Sequence, residues 1–207
     1  MIAILDIDTG NLRSLINAIS LFTTNFEVIN PNQLSDKNTH VIIPGVGNYK
    51  KVMSNLRAKD YDKKIKEFSN KNKPILGICV GMQILSSFGY EDEKTEGLNI
   101  IEGIVEIMKS DESYHLPHVG WNSALFKKNH PILKNIDLEK IIDYYFVHSY
   151  EFIPKRNENI LSVTQYKNEF CSMVCQKNVL GVQFHPEKSQ KNGLKILKNF
   201  IEWDGQC

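Results

Sequence analysis

The chain has 207 residues, 42% of them hydrophobic, and its 25 Lys plus Arg nearly balance 24 Asp plus Glu, for a formal net charge of +1. That length suits one well-buried domain, read here as residues 1–207, and is short for two. The balance excludes a strongly basic nucleic-acid binder, and only Arg13, Arg57 and Arg156 could offer the forked hydrogen bonds that read phosphates and base edges. No apolar run approaches the ~20 residues of a membrane span. The start, Met1-Ile2-Ala3-Ile4-Leu5-Asp6, has no basic segment and no long apolar one, so no secretory signal is expected. Cys79, Cys171, Cys175 and Cys207 form neither a zinc knuckle nor a disulfide ladder, which predicts free thiols in a reducing cytoplasm.

In chain order, Ile2 to Ile7 reads as a short buried strand. From Asn11 a helix is predicted, with Leu12, Leu15, Ile16, Ile19 and Phe22 at helical spacing. Phe26 to Ile29 and Val41 to Ile43 are two more strands, the second ending at Pro44-Gly45-Val46-Gly47. Residues 49–70 suit one or two surface helices. Pro74 to Ile78 is a fourth strand, and a helix from Val80 through Met82, Ile84, Leu85 and Phe88 is predicted after it. This alternation predicts a parallel sheet with helices on its faces.

The pattern then changes. Ile104–Ile107, Tyr144–Tyr150, Ile160–Tyr166, Phe170–Cys175 and Val179–Phe184 read as strands, with a turn at Asn178 before the last. Leu194, Leu197, Phe200 and Ile201 share one face of a closing helix. The predicted fold is α/β: a mostly parallel central sheet with flanking helices, and an antiparallel strand extension in the second half. Cys171 and Cys175, four apart in one predicted strand, are expected on one face as packing residues.

Three segments carry chemistry. In Gly77-Ile78-Cys79-Val80-Gly81-Met82-Gln83 a cysteine sits where a strand turns into a helix, with a glycine two residues to either side. That is the layout of a nucleophile elbow, in which the side chain is held out at the strand end. The following helix start favours a thiolate, and the Val80 amide would face a developing oxyanion. A buried cysteine in a glycine-containing turn is the plainer alternative. In Gly181 to Lys188, a strand ends in His185-Pro186-Glu187, which offers a base and a group to orient it. Pro44 to Gly47 is a third strand end, where glycines let amides face a ligand; an ordinary loop is the alternative. Ligands of parallel sheets bind off the strands' carboxyl ends, so the three segments are expected to converge.

With these motifs in this order, the sequence closely resembles the class I (triad) glutamine amidotransferases, from Ile2 to Phe200. Gly10-Asn11-Leu12-Arg13-Ser14, Pro117-His118-Val119-Gly120-Trp121-Asn122 and Tyr145-Phe146-Val147-His148-Ser149-Tyr150 narrow the resemblance to the glutaminase subunits of imidazole glycerol phosphate synthases. One departure is Ile7-Asp8-Thr9, where Asp8 adds a charge near the expected partner surface.

The resemblance implies that Cys79 attacks the side-chain amide of L-glutamine, His185 moves the proton and Glu187 orients His185. It implies oxyanion-hole amides at Val80 and across Gly45, Val46 and Gly47. Gln83 and Glu91 are expected to hold the backbone end of glutamine, with Asp92 and Glu93 as neighbouring candidates for the second role. His148, Ser149 and Tyr150 are expected to line the pocket. Asn11, Trp121, Asn122, Tyr145 and Lys188 are expected at a partner interface and ammonia gate. The implied partner is a (β/α)8-barrel synthase subunit in a heterodimer. It would make imidazole glycerol phosphate and an aminoimidazole ribotide in histidine biosynthesis. A related subunit supplying ammonia for amidino groups on a surface sugar is the alternative, and the intact triad argues against a dead regulatory subunit. No cofactor, metal, nucleic acid or membrane is expected.

Overall fold

The computed structural model describes residues 1–8 and 12–206. In chain order its elements begin with β1 (Ile2–Leu5), α1 (Leu12–Ser20), β2 (Phe26–Ile29), β3 (His40–Ile43), α2 (Tyr49–Ala58), α3 (Tyr61–Ser69) and β4 (Ile75–Ile78). A one-turn helix α4 (Val80–Gln83) follows, then β5 (Phe88–Gly89), β6 (Thr95–Glu96), β7 (Gly103–Ile107), β8 (His118–Phe126) and β9 (Ile142–His148). The last elements are β10 (Tyr150–Pro154), β11 (Ile160–Gln165), β12 (Glu169–Gln176), β13 (Val179–Val182) and α5 (Gln190–Glu202).

One sheet of nine strands runs in the order β2-β1-β3-β4-β13-β12-β11-β8-β9. From β2 to β13 the pairs are parallel, and from β13 to β9 they are antiparallel. The α/β reading with an antiparallel extension therefore holds. The parallel strands are short apolar runs because both faces are covered. Along β1, Ile2 and Ile4 join a core beneath α1 and α5, whereas Ala3 and Leu5 join the core beneath α2 and α3.

Three expectations need correction, and one strand is not anticipated. The helix after Cys79 stops at Gln83. Beyond it the carbonyls of Ile84, Leu85 and Ser86 accept N–H groups from residues 98–101, and Phe88 enters a strand instead. The Tyr144–Tyr150 strand is broken at Ser149: β9 belongs to the nine-stranded sheet and β10 to a separate four-stranded sheet, ordered β10-β7-β5-β6. Strand β8 escapes the sequence pattern, because its apolar Val119, Trp121 and Leu125 face outward while His118 and Ala124 are buried. Cys171 and Cys175 are both buried, but in different cores. A bulge between Met173 and Cys171 opposite Ser162 and Val163 inserts an extra residue, and one extra residue exchanges the faces of a strand. The expected turn before β13 is present at Lys177 and Asn178, and its left-handed residue is Lys177, at φ 53°. Asn178 instead donates its amide to the Ser69 and Lys73 carbonyls, at 3.0 and 2.7 Å.

Two tight backbone approaches lie beside β4. A Cβ on Gly81 would stand 2.0 Å from the Ile43 carbonyl oxygen, and one on Gly77 would stand 2.4 Å from the Gly81 carbonyl oxygen. Gly81→Ala is therefore expected to lower stability by about 1–3 kcal/mol or more, since the obstacle is backbone and cannot rotate away. Urea unfolding followed by circular dichroism measures it; an unchanged midpoint would show that β3 and α4 can separate freely.

Candidate active site

Strands β3, β4 and β13 are neighbours and parallel, so the residues after each meet at one sheet edge. Cys79 follows β4 with φ 55° and ψ −114°, a conformation that costs a side-chain-bearing residue on the order of 1–3 kcal/mol. It is held there on both sides. Its N–H continues the ladder to the Val182 carbonyl at 2.8 Å, and its carbonyl accepts from the Met82 and Gln83 N–H groups. Val80 then opens α4, where the first N–H groups of a helix have no acceptor within it.

His185 lies three residues past β13 and is buried. Its Nδ1 is 2.8 Å from Glu187 Oε1, which leaves Nε2 available to Cys79, whose Sγ donates to the Val147 carbonyl at 3.7 Å. Burial opposes charge on His185, but hydrogen bonds and charge interactions with Cys79 and Glu187 together outweigh it, and the imidazole is pushed up to about 10. Glu187 is nearly enclosed, and its Oε2 has no hydrogen-bond partner among the described residues. Ser189 fixes the turn: its hydroxyl donates to the His185 carbonyl at 2.7 Å and accepts the Tyr145 N–H at 2.9 Å.

The turn after β3 contributes its two glycines for different reasons. A Cβ on Gly45 would stand 2.3 Å from Val80 Cγ1, so this glycine permits contact with α4. Gly47 has open space around it but a φ of +115°, so it serves the backbone conformation. Val46 and Gly47 line a cavity of about 260 Å³ together with Cys79, Val80, Gln83 and His185. Glu91, His148, Ser149, Tyr150 and Lys188 also border it.

Within this cavity Gln83 Nε2 donates to the Tyr150 carbonyl at 2.9 Å and to Gln183 Oε1 at 3.1 Å. Both amide hydrogens are thus engaged, and the Gln83 carbonyl oxygen is the atom left for a ligand. Gln183 in turn donates to Cys79 Sγ at 3.7 Å. Of the acidic run, Glu91 borders the cavity and accepts the Tyr49 N–H at 2.6 Å. Burial is the main cause of its raised pKa. Asp92 pairs with the Asn48 amide at 2.8 Å, and Glu93 with Lys50 at 3.1 Å.

The expected gate residues spread over a wider surface. Trp121 is exposed and meets Tyr145 edge-on across the β8–β9 pair, with ring centroids 5.9 Å apart. Lys188 is exposed at the cavity border. The Asn122 amide turns inward, to His118 Nε2 at 3.3 Å and the Gln165 carbonyl at 2.9 Å. Asn11 lies outside the described residues. The Asp8 charge is paired with Lys59. Sequence reasoning misses Gln183, His118 and Ser189 as parts of the site. All three are buried polar residues inside or beside the motifs that carry the chemistry, and burial is the signal a sequence does not print.

A larger polar cleft of about 810 Å³ lies at the opposite, amino-terminal end of β13, among Lys128, Arg156, Glu158 and Gln176. It contains none of the Cys79 group. Among the described residues no cluster of three or more His, Cys, Asp or Glu stands ready for a metal ion. No described helix is long and apolar enough to cross a membrane.

A strained cysteine at a strand end, bordering one small cavity with a histidine held by a glutamate, is the constellation of a thiol nucleophile with its base and orienter. The family model for glutamine amidotransferase class-I matches residues 3–203, and the chain belongs to that family. It is 40% identical to the imidazole glycerol phosphate synthase subunit HisH of Sulfurimonas denitrificans, over 98% of both chains. It is also 40% identical to subunit HisH 1 of Methanococcus maripaludis, over 98% of this chain and 99% of that one. Among solved structures, PurLQS from Thermotoga maritima shares the fold with a TM-score of 0.76 at 15% identity, covering 97% of each chain. A glutamine amidotransferase from Thermotoga maritima does so at 0.67 and 14%, covering 97% of this chain and 96% of that one.

The raised His185 pKa has a stability consequence. A histidine at about 10 in the folded chain and 6.5 unfolded holds its proton more tightly when folded. Its contribution is complete below about pH 6.5 and disappears as pH rises through about 10. The unfolding free energy of the protein relative to His185→Gln should therefore fall between those limits, as read from denaturant titrations at several pH values. A difference that stays constant across the window would mean that His185 is not held protonated.

Proposed function

We propose that the chain is the glutaminase subunit of an imidazole glycerol phosphate synthase and supplies ammonia for histidine biosynthesis. The observation that carries this reading is the Cys79–His185–Glu187 group, with its strained nucleophile, at the wall of a cavity of about 260 Å³. Near-full-length similarity to HisH subunits supports the choice of pathway. We read residues 1–207 as one glutaminase domain working in the cytoplasm, where a nucleophilic thiol stays reduced.

Cys79 Sγ, its proton passed to His185, attacks the side-chain amide carbon of glutamine. The oxyanion is met by the Val80 N–H and by an amide of the Gly45–Gly47 turn. The C–N bond breaks as His185 returns its proton to nitrogen, and ammonia leaves a thioester. Water gives a proton to His185, adds to the thioester carbon, and expels the thiol with glutamate. Glu187 Oε1 holds His185 Nδ1 throughout, so Nε2 faces the sulfur. Gln83 and Glu91 present oxygen acceptors to the α-ammonium of glutamine, and Ser149 and Tyr150 complete the wall.

The partner in this reading is a (β/α)8-barrel synthase subunit. Its docking face includes the exposed Val119 and Trp121 of β8, with Tyr145 beside them and Lys188 at the cavity border. Ammonia leaves the thiol on that side.

Cys79→Ala is expected to cut glutamine-dependent synthesis by at least about 10³-fold, while synthesis from added ammonium salt persists in the complex. His185→Ala should be comparably severe and Glu187→Gln milder, since members of one unit do not add. Loss of the ammonium-dependent reaction in Cys79→Ala would mean that Cys79 supports structure rather than chemistry. Gly47→Val tests the oxyanion turn without a clash, because only its φ opposes a side chain. Glutamate release should be slow in the isolated chain and accelerated by the ribotide-bound partner, and Gly47→Val should blunt that acceleration by about 10²-fold or more. An isolated chain already running at the full rate of the complex would show a preformed site.

A further inference from the structure

Behind the cavity wall lies a chain of side chains that no step above uses. Asn122 Nδ2 is 3.3 Å from His118 Nε2, His118 Nδ1 is 3.1 Å from His148 Nε2, and His148 Nδ1 is 2.9 Å from the Tyr150 carbonyl. A carbonyl only accepts, so His148 carries its proton on Nδ1 and its Nε2 is an acceptor. His118 must then donate from Nδ1, and its Nε2 must accept from the Asn122 amide. Every link has one direction, and both rings are neutral with no nitrogen left for a ligand. Burial is the leading cause that holds His118 down at about 4 and His148 down at about 3.

Both rings are fixed by packing. His118 stacks on Phe146 with centroids 5.1 Å apart and lies 4.2 Å from the Tyr166 ring; Phe170 meets His148 at 5.0 Å. The chain ends on the carbonyl that also receives Gln83, and Gln83 continues through Gln183 to Cys79 Sγ. It joins β8 and β9 of one sheet to β10 of the other at the Ser149 break.

We propose that His118 is a positioning residue for the reaction at Cys79: through His148 it fixes the Tyr150 carbonyl, and through that carbonyl the Gln83–Gln183 pair against the sulfur. This rests on the reading of Cys79 as the group that attacks glutamine. A donor at the His118 Nδ1 position is what the device requires. Without it His148 Nε2 is a buried acceptor lacking its partner, the ring can change tautomer or turn, and the Tyr150 carbonyl loses its second donor.

Two polar substitutions separate positioning from bulk structure. His118→Asn places an amide donor where Nδ1 stood, and His118→Gln keeps an acceptor near Nε2 but loses that donor. Glutamate release by the full chain, alone and with the synthase partner, should fall about 10- to 100-fold in kcat/KM for His118→Gln, the range a small misplacement costs. His118→Asn should recover most of the loss. Adding His118→Gln to His148→Phe should cause no further loss, because both act along one path. Equal activity of the Asn and Gln variants, or losses that multiply in the double variant, would overturn the inference. So would a fall in melting temperature with unchanged turnover per folded molecule. Cys79→Ala is the control: if it still releases glutamate from glutamine, the reading of the site fails and this inference with it. A dead Cys79→Ala beside a fully active His118→Gln removes this inference alone.

Discussion

The site depends on a contact between two backbones. Gly81 leaves no room for a Cβ against the Ile43 carbonyl, and Gly77 leaves none against Gly81 itself. Because these two positions lack side chains, α4 can fold back onto the ends of β3 and β4. That approach brings Val80 under Gly45 and turns the chain sharply at Cys79, whose unusual φ and ψ follow. A ladder hydrogen bond on one side and the first helical turn on the other hold the strained residue in place. The nucleophile is exposed to the cavity because the backbone beneath it cannot spread.

Electrostatics then divides three neighbouring histidines. His185 has a carboxylate and a sulfur as partners, so it keeps its proton. His118 and His148 have only each other, an amide and a carbonyl, in surroundings of Phe146 and Phe170, so they remain neutral. Proximity makes the division necessary. A charged His148 would oppose the charge on His185, and His185 helps to hold the His148 pKa down. The positive charge beside the thiol is paired with Glu187, and the wall behind it stays uncharged.

The sequence made the parallel half legible because its strands are apolar runs closed by Pro44-Gly45, Gly77 and His185-Pro186. The triad positions could be read for the same reason: strand ends of a parallel sheet meet at one edge. Legibility failed where side-chain pattern and burial part company. In β8 the apolar residues face outward, and the buried or half-buried positions between them hold His118, Gly120 and Asn122, so the alternation is inverted. In β12 an extra residue near Ser172 reverses the faces and separates Cys171 from Cys175. After Gln83 the apolar Ile84 and Leu85 suit a helix, but their carbonyls are taken by the 98–101 segment, a partner further along the chain that no local pattern announces. The buried amide and imidazole links around Gln183 and His118 are likewise products of tertiary contact.

The break at Ser149 divides the cavity between two sheets. Cys79, Val80, His185 and the Gly45–Gly47 turn stand on the larger one, whereas Tyr150 begins a strand of the smaller. The bond-breaking apparatus and part of the ligand wall therefore belong to structural units that can vary separately. Lengthening or resetting β5, β6 or β7 would change the shape of the recess while leaving the β3–β4–β13 edge intact. In this architecture diversification toward new amide donors has a route that does not pass through the nucleophile.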